Sequence, residues 1–433
     1  MTRTELTIAE VRLTPILVAD PPLLNTQGVH QPYTPRLIIE VVTEGGATGL
    51  GETYGDTKYL DIARPLADAL IGRSVTDLNA LPAIAAEVCG DSPAATAAGA
   101  VDVGGLRGVQ TADKLRLSVL SGFEVGCLDA WGRATGLPVH ALLGGKVRDR
   151  VDYSAYLFYR WAERPGGRGE PDDWAAATDP AGVVAQARRL AGTYGFGSFK
   201  LKGGVYEPAE EIAAIRALAE EFPGRPLRLD PNGAWSVETS LKVAEELKDV
   251  LEYLEDPASG TDRMAQVAAR TEIPLATNMC VTTFDEIAGA FTRGAVQVVL
   301  SDHHYWGGLR NTRELAAICR TFGVGVSMHS NTHLGISLAA MTHVAATVPD
   351  LRYACDTHYP WQTEDVLTER IAFDGGAVAV TDTPGLGVEL DRDRLAALHR
   401  RWLDDDGGQR DRDDAAAMRV AHPGWTAPAV PRW

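Results

Sequence analysis

Six polar side chains follow one another at a near-constant interval, each at the end of an apolar run, and nothing else constrains the fold of this chain as strongly. Lys202, Asp230, Glu255, Asn278, Asp302 and His329 close the runs Ser198–Leu201, Leu227–Leu229, Val250–Leu254, Pro274–Ala276, Val296–Leu300 and Val324–Met328. Successive gaps are 28, 25, 23, 24 and 27 residues. Amphipathic helical stretches alternate with the runs at Pro180–Tyr194, Ala209–Glu221 and Val237–Leu247. A strand buried on both faces reads as a continuous apolar run, and each step has room for one strand, one helix and two connections. With a further run at Tyr153–Phe158, seven or eight such units follow Val151, which suits a closed barrel of parallel strands better than an open sheet. In such a barrel all six residues project at the C-terminal rim, where barrel active sites are built.

The first 150 or so residues have a different texture. Strand-like runs at Leu6–Leu13, Arg36–Thr43 and Ala47–Thr53, the last two separated by the turn signal Glu44-Gly45-Gly46, precede helical periodicity at Lys58–Ile71, Leu78–Val88 and Leu115–Thr135. Strands followed by helices predict a small α+β domain. The glycine-rich Gly99–Gly108 reads as a loop between two helices. The chain of 433 residues has a formal charge of −17, which argues against a nucleic-acid or anionic-membrane partner but not against a small anion bound locally. No run of about 18 apolar residues predicts a membrane span, and the N-terminus lacks the pattern of a secretory signal. Cys89, Cys127, Cys280, Cys319 and Cys355 are widely spaced and form no CxxC, so they read as reduced, mostly buried thiols in a cytoplasmic protein.

The strand-end residues suggest a chemistry. Asp230, Glu255 and Asn278 are three hard oxygen donors on consecutive strands, a set that suits Mg2+. Each has an ordinary alternative: Asp230 can cap the turn Asp230-Pro231-Asn232-Gly233, and Glu255-Asp256-Pro257 can be a plain loop entry. Lys200 and Lys202 share one face of a strand, and two adjacent ammonium groups are expected to lower each other's pKa, making one a usable base. Asp302, ending the strand before His329, is expected to orient the imidazole and raise its basicity. His329-x-x-x-His333, with His303 and His304 nearby, has zinc-ligand spacing, but without HExxH or a thiolate pair zinc is not expected. Tyr156, Asn232, Asn331 and His358 suit hydrogen-bonding lining.

Taken together, Lys200-Leu201-Lys202-Gly203-Gly204, Asp230-Pro231-Asn232-Gly233-Ala234-Trp235, Glu255-Asp256-Pro257, Ala276-Thr277-Asn278-Met279, His329-Ser330-Asn331-Thr332-His333 and Asp356-Thr357-His358 resemble the enolase superfamily, and more narrowly its glucarate dehydratase group. The resemblance runs from the His30 region to Arg412-Asp413-Asp414 and Pro423-Gly424-Trp425. It implies a modified (β/α)7β TIM-type barrel at 151–390, an N-terminal α+β capping domain at 1–150, and a C-terminal segment at 391–433 that returns to the cap and site. It also implies an Mg2+-dependent hydro-lyase converting acid sugars such as glucarate or idarate to keto-deoxy products, by α-proton abstraction, a metal-stabilised enediolate and loss of the β-hydroxyl. Carried over, Asp230, Glu255 and Asn278 hold the metal, and Lys202 takes the α proton from one configuration. His329, oriented by Asp302, takes it from the other, and Lys200 tunes Lys202. His30, Tyr156, Asn232, Asn331, His358 and Arg412 contact substrate, with His30 and Arg412 suited to the far end of a dicarboxylate. An acid sugar and further copies of the same chain are the expected partners.

The chain departs from the group's pattern in three places. Asp102-Val103-Gly104-Gly105 stands where a small hydroxyl residue is usual, the loop after Pro257 is short, and 302–308 differs in detail. Two bases also suit a racemase, epimerase or cycloisomerase of the same superfamily, and loss of turnover would leave a relative that only binds acid sugars.

Overall fold

The computed structural model describes residues 4–89, 111–165, 167 and 169–433. The segment Gly99–Gly108, with Val103, lies outside them. Near the N-terminus β1 (Ile8–Ala19), β4 (Tyr33–Thr43) and β5 (Thr48–Tyr54) form an antiparallel sheet in the order β1-β4-β5, and β2 (Leu24–Asn25) and β3 (Gly28–Val29) make a small hairpin between β1 and β4. β1 runs six residues past the expected end at Leu13, through Pro15 paired with Leu37. Proline lacks the N–H for a second ladder, and β1 needs only one because it is an edge strand.

The helix Ala112–Thr135, capped by the Thr111 side chain at its start and by left-handed Gly136 at its end, lies against β5. Gly51 allows the close approach: a Cβ there would sit 1.9 Å from the Gly122 carbonyl oxygen. The helix expected over Leu78–Val88 divides into a 3-10 turn, Leu78–Ala80, and a helix, Leu81–Cys89.

Eight parallel strands follow: β6 (Arg150–Phe158), β7 (Phe199–Lys202), β8 (Leu227–Asp230), β9 (Leu251–Glu255), β10 (Leu275–Thr277), β11 (Val298–Ser301), β12 (Gly325–Met328) and β13 (Cys355–Thr357). They pair in the order β12-β11-β10-β9-β8-β7-β6-β13, a nearly closed barrel, and β14 (Ala377–Ala379) adds antiparallel to the start of β6. Helices at Pro180–Tyr194, Pro208–Glu221, Val237–Leu247 and Leu309–Phe322 are among those that connect the strands outside. Asp179 caps the first with Pro180 in its opening turn, and a Glu207–Glu210 capping box starts the second. The helix Gly335–Ala346 is buried on every side.

Glu52 on β5 joins the two regions. Its buried carboxylate accepts from Arg36 and from the backbone N–H groups of Leu334 and Ser337, at the start of the buried helix. Among the described residues no helix is long and apolar enough to cross a membrane, and the five cysteines are free thiols.

Candidate active site

The period-two alternation of short strands aims every second side chain into the barrel. Lys200 and Lys202 on β7, Arg228 and Asp230 on β8, and Tyr253 and Glu255 on β9 follow that rule, and Lys202 is in register with Asp230. Ladder pairing thus places the strand ends on one rim.

Lys202 Nζ donates to Asp230 Oδ2 and Asn232 Oδ1, each at 2.7 Å. Lys200 Nζ, fully buried, donates to Glu255 Oε1 and Asp356 Oδ2 at 2.7 Å and lies 3.4 Å from Asp230 Oδ2. Burial works against the Lys200 ammonium, but Asp356 and Glu255 outweigh it and hold the group well above the usual lysine range. This corrects the sequence expectation for Lys200: carboxylates reaching in from β9 and β13, invisible in the Lys-x-Lys spacing, keep it charged.

Burial would raise the Asp230 carboxyl, but Lys202 and Lys200 hold it well below the usual range. Glu255 is pushed the other way by burial, reinforced by Asp230 and Asp356. Lys200 and Lys202 oppose this without overcoming it. Asn278 Nδ2 donates to Glu255 Oε1 at 3.1 Å, while Asn278 Oδ1 is buried without a partner. Asp256, in left-handed backbone at φ 37°, accepts from Thr277 Oγ1 at 2.6 Å and the Asn278 backbone N–H at 2.9 Å, which fixes this strand end. An orphaned amide oxygen beside two carboxylates under mutual repulsion fits a hard divalent cation. The turn-capping alternative also has substance, since Asp230 Oδ1 accepts from the Asn232 N–H at 3.0 Å, leaving Oδ2 to face the lysines.

Across the barrel His329 Nδ1 lies 3.1 Å from Asp302 Oδ2. Asp302 Oδ1 accepts from the His304 backbone N–H and lies 2.9 Å from His304 Nδ1, and His333 Nε2 is 3.4 Å from Oδ2. These histidines and the hydrogen bonds from His304 and His329 hold Asp302 well below the carboxylate range despite its burial. Burial pushes His329 below the usual imidazole value; Asp302 opposes this without overcoming it, and Lys200 and Lys202 add to the lowering. The expected rise in basicity is thus reversed, by a desolvation that the sequence spacing does not reveal. His329 is mainly neutral at neutral pH, the form able to accept a proton.

One cavity at the rim is lined by Lys202, Asn278, His329 and Asn331 and, toward the N-terminal sheet, by His30, Tyr156, His358 and Arg412. Asp230, Asn232, Glu255 and Asp302 stand behind this wall, each hydrogen-bonded to a lining residue, and Lys200 is one contact further back. The Tyr156 ring covers Lys200, whose Nζ is 4.7 Å from its centroid. Arg412 arrives from the C-terminal segment, its guanidinium against Asp414, which in turn accepts from Asn25.

Three participants carry no role in the sequence reading. Asp356 belongs to a quoted motif but gives no sign of pairing with Lys200. Asp20 lies beside His30, and Glu52 is the link between sheet and barrel; neither sits at a strand-end interval that would mark it.

The enolase C-terminal domain-like family profile matches residues 182–394. A probable glucarate dehydratase of Streptomyces coelicolor is 77% identical over 434 residues, spanning 100% of both chains. The crystal structure of an enolase from Mycobacterium smegmatis complexed with tartrate is 54% identical, covers 100% of both chains and superposes with a TM-score of 0.92. An enolase from Thermobispora bispora complexed with magnesium and formate is 52% identical, with 99% of this chain and 100% of that one covered and a TM-score of 0.93.

Proposed function

The chain belongs to the enolase superfamily, and from that premise we propose that it is an Mg2+-dependent dehydratase of acid sugars, acting on glucarate, idarate or a close aldarate. The observation that carries this reading is the meeting of Lys202 and the Asp302-backed His329 in one cavity, with Asn278 and its orphaned oxygen in the same wall. The full-length likeness to a probable glucarate dehydratase supports the substrate class. The magnesium of the Thermobispora bispora enolase supports the metal. Residues 1–150 would act as the cap, 151–390 as the catalytic barrel and 391–433 as the segment carrying Arg412 to the site. The free, largely buried thiols support a reducing, cytoplasmic setting.

Asp230, Glu255 and Asn278 would hold the ion, which supplies positive charge where a substrate carboxylate must stabilise the loss of its α proton. Lys202 accepts that proton from one configuration at the α carbon and His329 Nε2 from the other, while Asp302 holds the Nδ1–H edge. Lys200 stays a cation and takes no part in the transfer. As the Cα–H pair moves into a new Cα–Cβ double bond, the Cβ–O bond breaks. His329 donates the proton with which the departing hydroxyl leaves as water, a proton it has just taken from the α carbon on one face and that its protonated minority supplies when Lys202 is the base. The enol so formed becomes the 2-keto product. His30, Arg412, His358, Tyr156, Asn232 and Asn331 would bind the remaining hydroxyls and the second carboxylate.

A panel of C4–C6 mono- and dicarboxylate sugars with Mg2+, scored for 2-keto product, tests the assignment. Turnover of at least one aldarate is expected. Failure on all diacids, or a changed stereocentre without 2-keto product, would overturn it.

A further inference from the structure

A second Asp–His pair faces the same cavity. His30 Nδ1 lies 3.2 and 3.1 Å from the two oxygens of Asp20, and Thr34 Oγ1 donates to Asp20 Oδ2 at 2.5 Å. Asp20 is buried, and His30 is 4% exposed and lines the cavity with Arg412. The His30 ring stacks on that of His358 at 5.8 Å between centroids, and the Arg164 guanidinium ties the backbone carbonyls of Asp20, His30 and Gln31 together. Despite burial, the Asp20 carboxyl is held well below the usual range by His30, His358 and Arg412. An ionised acid therefore stands directly behind His30 in the wall of a cavity proposed to take an anion, which needs a reason.

We propose that Asp20 is a positioning residue for His30: it fixes a proton on Nδ1 and supplies the charge that lets the ring carry a second proton on Nε2 when an anionic group binds there. The inference rests on the acid-sugar reading above, whose substrate has a carboxylate at the end remote from Lys202 and His329. A neutral imidazole that donates from Nδ1 has only a lone pair at Nε2 and repels a carboxylate. With carboxylates on both edges the imidazolium is favoured, and both hydrogen bonds become charge-assisted. The dyad thus makes the far end selective for an anion over a hydroxymethyl group.

Asp20→Asn keeps an acceptor for Nδ1–H and removes the charge. Full-length wild type and variant are titrated by calorimetry in Mg2+ with tartrate, a dicarboxylate, and with lactate, a monocarboxylate, and kcat and KM are measured on any aldarate turned over. Tartrate binding is expected to weaken about tenfold, or 1.4 kcal/mol. Lactate binding should stay within about twofold, and the aldarate loss should fall on KM rather than kcat. Asp20→Glu should restore part of the tartrate affinity, which a purely structural role would not require. Equal weakening of both ligands, unchanged tartrate binding, or a wild type with no preference for tartrate over lactate would each overturn the proposal. A wild type that prefers tartrate but dehydrates no aldarate would instead sink the acid-sugar reading, with the role of Asp20 still decided by the binding arms.

Discussion

Replacing Asp302 by asparagine should silence one of the two proton-transfer groups while sparing the other. The carboxylate takes two kinds of partner: Oδ1 faces the His304 backbone N–H and His304 Nδ1, both at 2.9 Å, and Oδ2 faces His329 Nδ1 at 3.1 Å. An asparagine has one acceptor oxygen and must turn its amide nitrogen toward one side. The backbone N–H of His304 cannot give up its proton, so the oxygen stays there and the NH2 points at His329. His329 Nδ1 must then accept, and its proton moves to Nε2, the atom required as base. General acid–base catalysis contributes about 10²–10⁴-fold, and that is the expected loss of solvent-deuterium exchange at the α carbon for the configuration served by His329. Exchange of the opposite configuration, served by Lys202, should stay within about threefold. Dehydration should fall for both, because His329 also protonates the leaving hydroxyl. Proton NMR of each epimer in D2O measures exchange, and a 2-keto assay measures dehydration. Equal loss of exchange for both configurations, or none for either, would refute the division of labour.

Lys202→Ala should produce the complementary defect, abolishing exchange of the other configuration and leaving the His329 side intact; exchange at wild-type rates on both faces would remove Lys202 from the mechanism. Excess EDTA should stop turnover, and Mg2+ should raise the melting temperature of the wild type but not of Asn278→Leu, so an undiminished Mg2+ shift in that variant would move the ion elsewhere. Glu124, whose carboxylate accepts from the Leu309 backbone N–H, is raised by burial from 4.5 to about 7. Its folded form holds a proton more tightly than the unfolded chain, so stability is greatest below 4.5 and declines as the pH rises toward about 7. Glu124→Gln should flatten that decline in melts followed from about pH 5 to pH 8, and an unchanged slope would contradict the assignment.

The barrel was legible because its strands are buried on both faces, so apolar runs and their polar stops survive as a one-dimensional pattern. The last strand, Cys355–Thr357, escaped that reading because three residues around a buried aspartate make no apolar run. The run Leu6–Leu13 understates β1, which continues through Pro15 to Ala19, and only the edge position seen in three dimensions makes that proline harmless. Lys202, Asp230, Glu255, Asn278, Asp302 and His329 announced themselves by phase, whereas their partners did not. Asp356 is 156 residues from Lys200, and Glu52 is 282 from the backbone amide it caps at Leu334, so their contacts have no local spacing to reveal them. The signs of the Lys200 and His329 shifts depend on burial and on charges from other strands, which no motif encodes.

The Glu52 junction bears on how interchangeable the parts of such a protein are. Its side chain takes N–H groups from the start of helix Gly335–Ala346, while its own carbonyl oxygen lies 3.1 Å from His304 Nε2, the other edge of a ring held by Asp302. An N-terminal region transplanted from a relative would thus bring not only a new cavity wall but also one terminus of the hydrogen-bond chain ending at His329. A graft lacking a carboxylate at this position would leave two buried amides of the host barrel without acceptors. Recombination between relatives, natural or engineered, is therefore expected to succeed where the crossover carries Glu52, Arg36 and the two amides that donate to Glu52 as one unit, and to fail where it separates them.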